Sequence, residues 1–97
     1  FMQTKLSIQN WQKFIKLCLK ATAPKQLNEL FKLLLTNAEQ EDIAARYAIV
    51  IGLLSGKKPQ RELAKQLKIS IAKITRGSNA LRIVDPKIKR LILSSTP

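Results

Sequence analysis

The chain has 97 residues, 45% of them hydrophobic, so it is expected to fold as one small domain or as one subunit of a small assembly. It carries 18 Lys and Arg against six Asp and Glu, and this formal charge of +12 favours a polyanionic partner, with nucleic acid first. Because the chain has one cysteine and no histidine, an internal disulfide, a multi-cysteine zinc site and a histidine-containing catalytic triad are excluded. The sequence also offers no pairing of a nucleophile with a base that would indicate an enzyme.

Three helices are predicted in the first half of the chain, since apolar side chains recur at the spacing of one helical face and strand signals are nearly absent. The first covers about residues 8–21, and the second begins at Pro24, a residue suited to the first helical turn. The third follows Thr36, which is expected to form a capping box with Glu39. Gly56 is the residue expected to end this third helix.

Three shorter helices are predicted in the second half. The fourth covers about residues 59–67 and the fifth covers residues 71–80. Asp85 followed by Pro86 indicates the N-cap and first turn of a sixth helix that ends near residue 94. The tail beyond it is expected to fray. The predicted fold class is therefore all-α.

Charge is distributed unevenly along this single domain, residues 1–97. Residues 1–56 carry seven basic and four acidic residues, a net +3, whereas the rest of the chain carries eleven and two, a net +9. Such asymmetry often marks nucleic-acid binding, and a solvated charged face is the alternative. We therefore expect residues 1–56 to form a helical core, residues 57–81 to form a DNA-reading head, and residues 82–97 to form a C-terminal helix.

The segment 60–79, QRELAKQLKISIAKITRGSN, has the pattern of a helix-turn-helix. Ala64, the fifth residue of this segment, is small and lies where the two helices would cross. Ile74, the fifteenth residue, is β-branched, as the pattern expects. Ser70 is suited to cap that helix. Lys68 occupies the turn position that often holds glycine, because the backbone there is left-handed. Two short helices of a bundle with no DNA role are the alternative.

In a helix-turn-helix the second helix enters the major groove with its N-terminal end foremost, so its first residues would face base edges or thymine methyl groups. The start of the preceding helix would meet the DNA backbone or a nearby guanine, and the lysines near it would contact phosphates. A solvated surface role is the alternative for each lysine. The candidate DNA contacts are Lys57, Lys58, Gln60, Arg61, Lys65, Ile71, Ala72, Lys73, Thr75 and Asn79.

The stretch QRELAKQLKISIAKITRGSNAL, residues 60–81, strongly resembles the reading domain of the tryptophan (Trp) repressor family, and ITRGSNAL is its most specific part. Upstream, NWQKF at 10–14, LLLTNAE at 33–39 and AARYAIVIGLLSG at 44–56 are similar to the family's first three helices at matching spacing. The resemblance covers about residues 8–93, nearly the whole chain.

What the resemblance implies is a six-helix, intertwined homodimer that represses transcription by binding palindromic, double-stranded operator DNA when L-tryptophan is present. Residues 1–56 and 82–97 would form the dimer core, which fits the large apolar surface of the first three helices. A compact monomer is the alternative. The lone thiol, the short apolar runs and the absence of a signal-peptide pattern agree with a cytoplasmic protein that has no membrane partner.

The resemblance also implies a corepressor site for L-tryptophan or a related indole, with no metal and no catalytic cofactor. The guanidinium groups of Arg46 and Arg76 would sandwich the indole, and the Thr36 hydroxyl would bind the carboxylate together with Arg76. Backbone carbonyl groups at the end of the second helix would suit the ammonium group. The glycine of the site would let the ring approach the backbone. The implied site residues are Leu33, Leu35, Thr36, Arg46, Arg76, Gly77 and Ala80.

Three alternatives remain open. Ala80 stands where the family's best-known member has a serine hydroxyl that faces the ligand's amino group, which leaves open a repressor that responds to a different indole. The charge of +12 leaves open an effector-independent, largely non-specific DNA-binding or architectural protein. A basic helical module that binds other proteins is the third.

Overall fold

The structure, a computed structural model, describes residues 4–95, which form six α-helices and no strand. The helices are Lys5–Lys20 (α1), Pro24–Leu34 (α2), Asn37–Ser55 (α3), Gln60–Leu67 (α4), Ile71–Ile83 (α5) and Pro86–Ser95 (α6). The all-α prediction is confirmed. The helices fall into two compact units, the first ending at Asn37 and the second beginning at Ala38. No helix within residues 4–95 has both the length and the apolar character needed to cross a membrane.

Most helix ends follow the local signals in the sequence. Gly56 adopts a φ of +64° directly after α3, the left-handed conformation of a C-terminal glycine. The Ser70 hydroxyl accepts a hydrogen bond from a backbone N–H of α5 at 3.3 Å, and the Asp85 carboxylate accepts one from a backbone N–H of α6 at 2.9 Å. α6 ends at Ser95, and the last two residues of the tail that was expected to fray lie outside the described range.

Three helix ends differ from the prediction. α1 begins at residue 5, because the Thr4 hydroxyl accepts a hydrogen bond from the Ser7 N–H at 3.0 Å and so caps the helix earlier. α5 continues to Ile83, since no glycine or proline interrupts the chain between Gly77 and the start of α6. Pro59 is the N-cap of α4 rather than its first helical residue.

The first unit contains α1 and α2, and none of its described residues is buried. The Phe14 ring lies 5.4 Å from the Trp11 ring and 6.2 Å from the Phe31 ring, so aromatic contacts join the two helices. Trp11 nevertheless remains 63% exposed and Leu19 79% exposed. Much of the apolar surface of this unit is therefore uncovered in the single chain.

The second unit contains the buried core, to which α3, α4 and α5 each contribute one large side chain, Ile49, Leu63 and Ile74. Two glycines set how closely these helices approach. A Cβ atom on Gly52 would lie 2.6 Å from Leu63 Cδ1, and one on Gly77 would lie 2.6 Å from Ile49 Cγ2. Both distances are shorter than real Cβ contacts, so the core depends on the absence of these side chains.

Candidate nucleic-acid interface and ligand cleft

A left-handed residue joins α4 to α5, as the turn pattern predicts. Lys68 has φ 55° and ψ 45°, and its N–H donates to the Lys65 carbonyl at 3.3 Å. The following N–H, of Ile69, donates to the Ala64 carbonyl at 3.0 Å. A lysine in this conformation costs about 1 kcal/mol relative to glycine, and the two hydrogen bonds help to hold it. The turn therefore fixes where α5 starts relative to α4.

An apolar layer beneath the turn holds α4 and α5 on α3. Leu63 and Ile74 pack with Ile49, and the half-buried Ala64 and Leu67 pack against this cluster. A small residue at the predicted crossing point, Ala64, lets the two helices approach each other closely. The packed apolar cluster therefore holds α4 and α5 in place, with their outward faces open to solvent.

All ten candidate DNA contacts are exposed side chains in the second unit. Ile71, the first residue of α5, is 48% exposed although it is apolar, which leaves it available for contact with a thymine methyl group. The first turn of α5 contains no acidic residue, and its helix dipole favours a nearby phosphate. Exposure, charge and helix position are therefore compatible with a DNA-contacting face.

Three of the candidate DNA contacts already have hydrogen-bond partners in the chain. The Thr75 hydroxyl donates to the Ile71 carbonyl at 3.0 Å, and the Lys58 ammonium donates to the Gln66 side-chain oxygen at 2.5 Å. Asn79 accepts a hydrogen bond from the guanidinium of the nearby Arg82. These side chains would exchange an intramolecular hydrogen bond for one to DNA, which lowers the net gain from each contact.

A cleft of about 240 Å³ lies between α3 and α5 within the second unit. Arg46 of α3 and Arg76 of α5, which the family resemblance implies act together, both line it, and both are exposed. Among residues 4–95, the lining consists of Asp42, Ala45, Arg46, Ile49, Lys73 and Arg76. Two guanidinium groups on facing helices are suited to stack on a flat ring and to bind a carboxylate.

This cleft also contains two charged residues that the sequence does not predict as ligand contacts. Asp42 precedes Arg46 by four positions and so shares a face of α3 with it. Lys73, for which the sequence predicts only a DNA contact, precedes Arg76 by three positions on α5 and lines the cleft. Helical spacing was the available signal in both cases.

Gly77 is a point of close approach between α5 and α3 in the core. It is buried against α3, where an added Cβ would lie 2.6 Å from Ile49 Cγ2 and 3.7 Å from Leu53 Cδ1. Ile49 of α3 therefore occupies the space that a side chain at this position would fill, and contact between Gly77 and a ligand ring stays a prediction. Gly77 sets the distance between α3 and α5, and with it the width of the cleft between them.

The remaining suggested ligand-binding residues fall into two groups. Ala80 is exposed on α5 in the second unit. Leu33, Leu35 and Thr36 belong to the end of α2 and the residues that follow it in the first unit. Leu33 is 80% exposed, and the Leu35 N–H donates to the Phe31 carbonyl at 2.8 Å as the C-cap of α2.

Comparison with known proteins gives a consistent result over nearly the whole chain. The sequence model of the Trp repressor protein family matches residues 9–95. The Trp operon repressor homolog of Chlamydia trachomatis serovar D is 48% identical over 82 residues, which cover 84% of this chain and 87% of that protein. The protein of the same name from Chlamydia caviae is 45% identical over 82 residues, covering 84% and 81%. That from Mannheimia succiniciproducens is 38% identical over 90 residues, covering 93% and 89%.

Proposed function

The chain belongs to the Trp repressor family of DNA-binding transcriptional regulators, and on that premise we propose that it is a cytoplasmic repressor that binds palindromic operator DNA in response to L-tryptophan. Helices α4 and α5 act as the helix-turn-helix, and the exposed start of α5 reads the major groove. Lysines and arginines around α4 bind phosphates and position the reading helix.

The observation that carries the proposal is that Arg46 and Arg76 line one cleft. Each guanidinium offers a planar face for an indole and a fork of donors for a carboxylate, which a lysine would not. The amino-acid ligand is held between α3 and α5 of the second unit. Leu33, Leu35 and Thr36 stay proposed ligand contacts on the family resemblance alone.

Ligand binding is coupled to DNA binding through α5. The same helix carries Arg76 in the cleft and Ile71, Ala72 and Thr75 on the face proposed to meet bases. A ligand that fills the space between α3 and α5 favours one orientation of α5 over others, and so shifts the population toward the DNA-binding conformer. This coupling between the ligand cleft and the DNA-contacting face requires no structural element other than α5.

The proposed active species is a homodimer. Its support is the apolar surface of the first unit, where Trp11 and Leu19 are largely exposed in the single chain. Two copies would also present two reading helices to successive major grooves about 34 Å apart, which matches a palindromic operator. Sedimentation of the free protein at micromolar concentration is expected to give twice the mass of one chain.

Calorimetry with L-tryptophan tests the corepressor role, using the wild type and Arg76→Ala. We expect saturable heat at micromolar to millimolar ligand for the wild type and a loss of at least tenfold in affinity for the variant. Absence of heat at millimolar L-tryptophan contradicts the proposal. Heat with another indole under the same conditions would keep the repressor and change its ligand.

A second candidate is an effector-independent DNA-binding protein, which the charge of +12 and the lack of a hydroxyl at Ala80 favour. Binding would then depend mainly on phosphate contacts. It predicts a steep salt dependence with equal affinity for palindromic and random duplexes, whereas the first proposal predicts a preference that L-tryptophan increases.

A further inference from the structure

We propose that Asp42 binds the α-ammonium group of the ligand and thereby makes the cleft discriminate an amino acid from the corresponding carboxylic acid. The inference rests on the proposed function, because it concerns the same cleft between α3 and α5. Asp42 is the single acidic residue among the six that line the cleft. It lies one helical turn before Arg46 on the same helix.

The charges of the cleft are of both signs, as a zwitterion requires. Arg46, Lys73 and Arg76 supply three cations, and Asp42 supplies one anion. A ligand with a carboxylate alone would be satisfied by the cations, and Asp42 would only repel it. A ligand with both a carboxylate and an ammonium group uses every charged residue of the lining.

These four charges are also available to a ligand. In the part of the chain that the structure describes, none of the four charged groups forms an ion pair or a side-chain hydrogen bond. Asp42 and Arg46 have the i, i+4 spacing at which such pairs often form on a helix, yet they remain apart. No internal pair therefore has to be broken before Asp42 meets an ammonium group.

The size of the cleft limits the ligand. About 240 Å³ is below the roughly 300–1,000 Å³ of clefts that bury drug-sized molecules, so an occupant of amino-acid size is favoured. Overall charge does not explain a preference for a zwitterion, since a cleft with more cations than anions attracts a pure anion more strongly. Direct contact with Asp42 supplies such a preference, because its carboxylate attracts an ammonium group and repels a second carboxylate.

The test is calorimetry with L-tryptophan and with indole-3-propionate, which has the same ring and carboxylate but no α-amino group. Each ligand is titrated into the wild type, Asp42→Asn and Glu41→Gln. Asn keeps the shape of the side chain and removes its charge. Glu41 is the neighbouring exposed acid of α3 that does not line the cleft, so Glu41→Gln is the matched control.

We expect Asp42→Asn to weaken L-tryptophan binding by about tenfold and to leave indole-3-propionate binding unchanged or stronger. Glu41→Gln is expected to bind both ligands as the wild type does. Asp42→Ala is measured as a second variant and is expected to shift both ligands in the same directions. Because Asp42 is exposed, both substitutions are expected to leave the thermal unfolding midpoint nearly unchanged.

Equal effects on the two ligands, or no loss of L-tryptophan affinity in either Asp42 variant, would overturn the inference. In that case binding of L-tryptophan to the wild type would still support the proposed function. If the wild type binds neither ligand, the proposed function fails and the inference fails with it. The two failures are thus distinguished by the wild-type titration alone.

Discussion

The first unit, with α1 and α2, and the second unit, with α3 to α6, use apolar residues at the same helical spacing but bury them very differently. Trp11 is 63% exposed, whereas Ile74 is 0% exposed. The first unit contains no glycine, whereas Gly52 and Gly77 lie where α3 meets α4 and α5. Close approach of helix backbones, rather than apolar content alone, therefore decides which unit forms a core within one chain.

This difference in burial also indicates different roles for the two units. The second unit is supported by its own core, so its surface is available for a ligand cleft and a reading face. The first unit exposes apolar side chains that a monomer would leave in water, and these are suited to cover a second copy. Substitutions in the two units are accordingly expected to affect different properties.

The largest expected effect is on the core of the second unit. Ile74→Ala removes a fully buried side chain and should lower the free energy of unfolding by about 2–5 kcal/mol in urea denaturation followed by circular dichroism. Ile71→Ala, one turn earlier on α5 and 48% exposed, is the control and should cost much less. Equal losses for the two variants would contradict the assignment of the core.

Substitutions in the first unit should instead change the affinity between two copies of the chain. Trp11 lines an apolar hollow of about 690 Å³ in this unit, and Trp11→Glu would place a carboxylate on that surface. We expect the dimer dissociation constant, measured by sedimentation, to rise by about 100-fold, or roughly 2.7 kcal/mol. Gln9→Glu introduces the same side chain on α1 outside the hollow and should leave the dimer intact. An unchanged dimer in Trp11→Glu would place the contact between copies elsewhere.

Gly77→Ala tests whether the close approach of α5 to α3 is needed for the stability of the core. Alanine usually stabilises a helix relative to glycine, but here its Cβ would lie 2.6 Å from Ile49 Cγ2. We expect a net destabilisation of about 1–3 kcal/mol. The same change in an Ile49→Ala background, where that contact is gone, should cost far less, because the two effects are coupled. Additive losses would show that Ile49 is not the reason for this glycine.

The smallest expected effect concerns charge. Lys57→Gln, beside α4, should weaken binding to any duplex modestly and reduce the slope of log affinity against log salt by about one. Lys13→Gln removes the same charge from α1 and should leave the slope unchanged. Filter binding or fluorescence anisotropy at several salt concentrations measures both. Identical slopes for the two variants would mean that net charge, not its position, governs binding.

Local signals in the sequence were enough to predict six helices and several of their ends. Ser70 and Gly56 act as their residue types predict, and Lys68 takes the left-handed conformation that the turn requires. The early start of α1 was missed, because capping by Thr4 depends on one hydroxyl rather than on a hydrophobic period. Periodicity predicts elements more reliably than their exact ends.

The candidate site was less predictable, since its composition depends on how α3 crosses α5. Arg46 and Arg76 were suggested by resemblance, but nothing local in the sequence joins residues 30 positions apart. Asp42 and Lys73 meet in the cleft because α3 and α5 pack together, and this close packing depends on Gly77. Likewise, periodicity alone does not distinguish the buried Ile74 from the exposed Trp11.

In the proposed function, a ligand held by Arg46 and Arg76 controls DNA binding. The most direct test first selects duplexes from a random pool with L-tryptophan present, and then titrates the selected palindrome and a scrambled duplex at fixed salt, with and without L-tryptophan. We expect L-tryptophan to raise wild-type affinity for the palindrome at least tenfold, to leave the scrambled duplex unchanged, and to have no effect on Arg76→Ala. Equal affinity for the palindrome with and without the amino acid would contradict the claim.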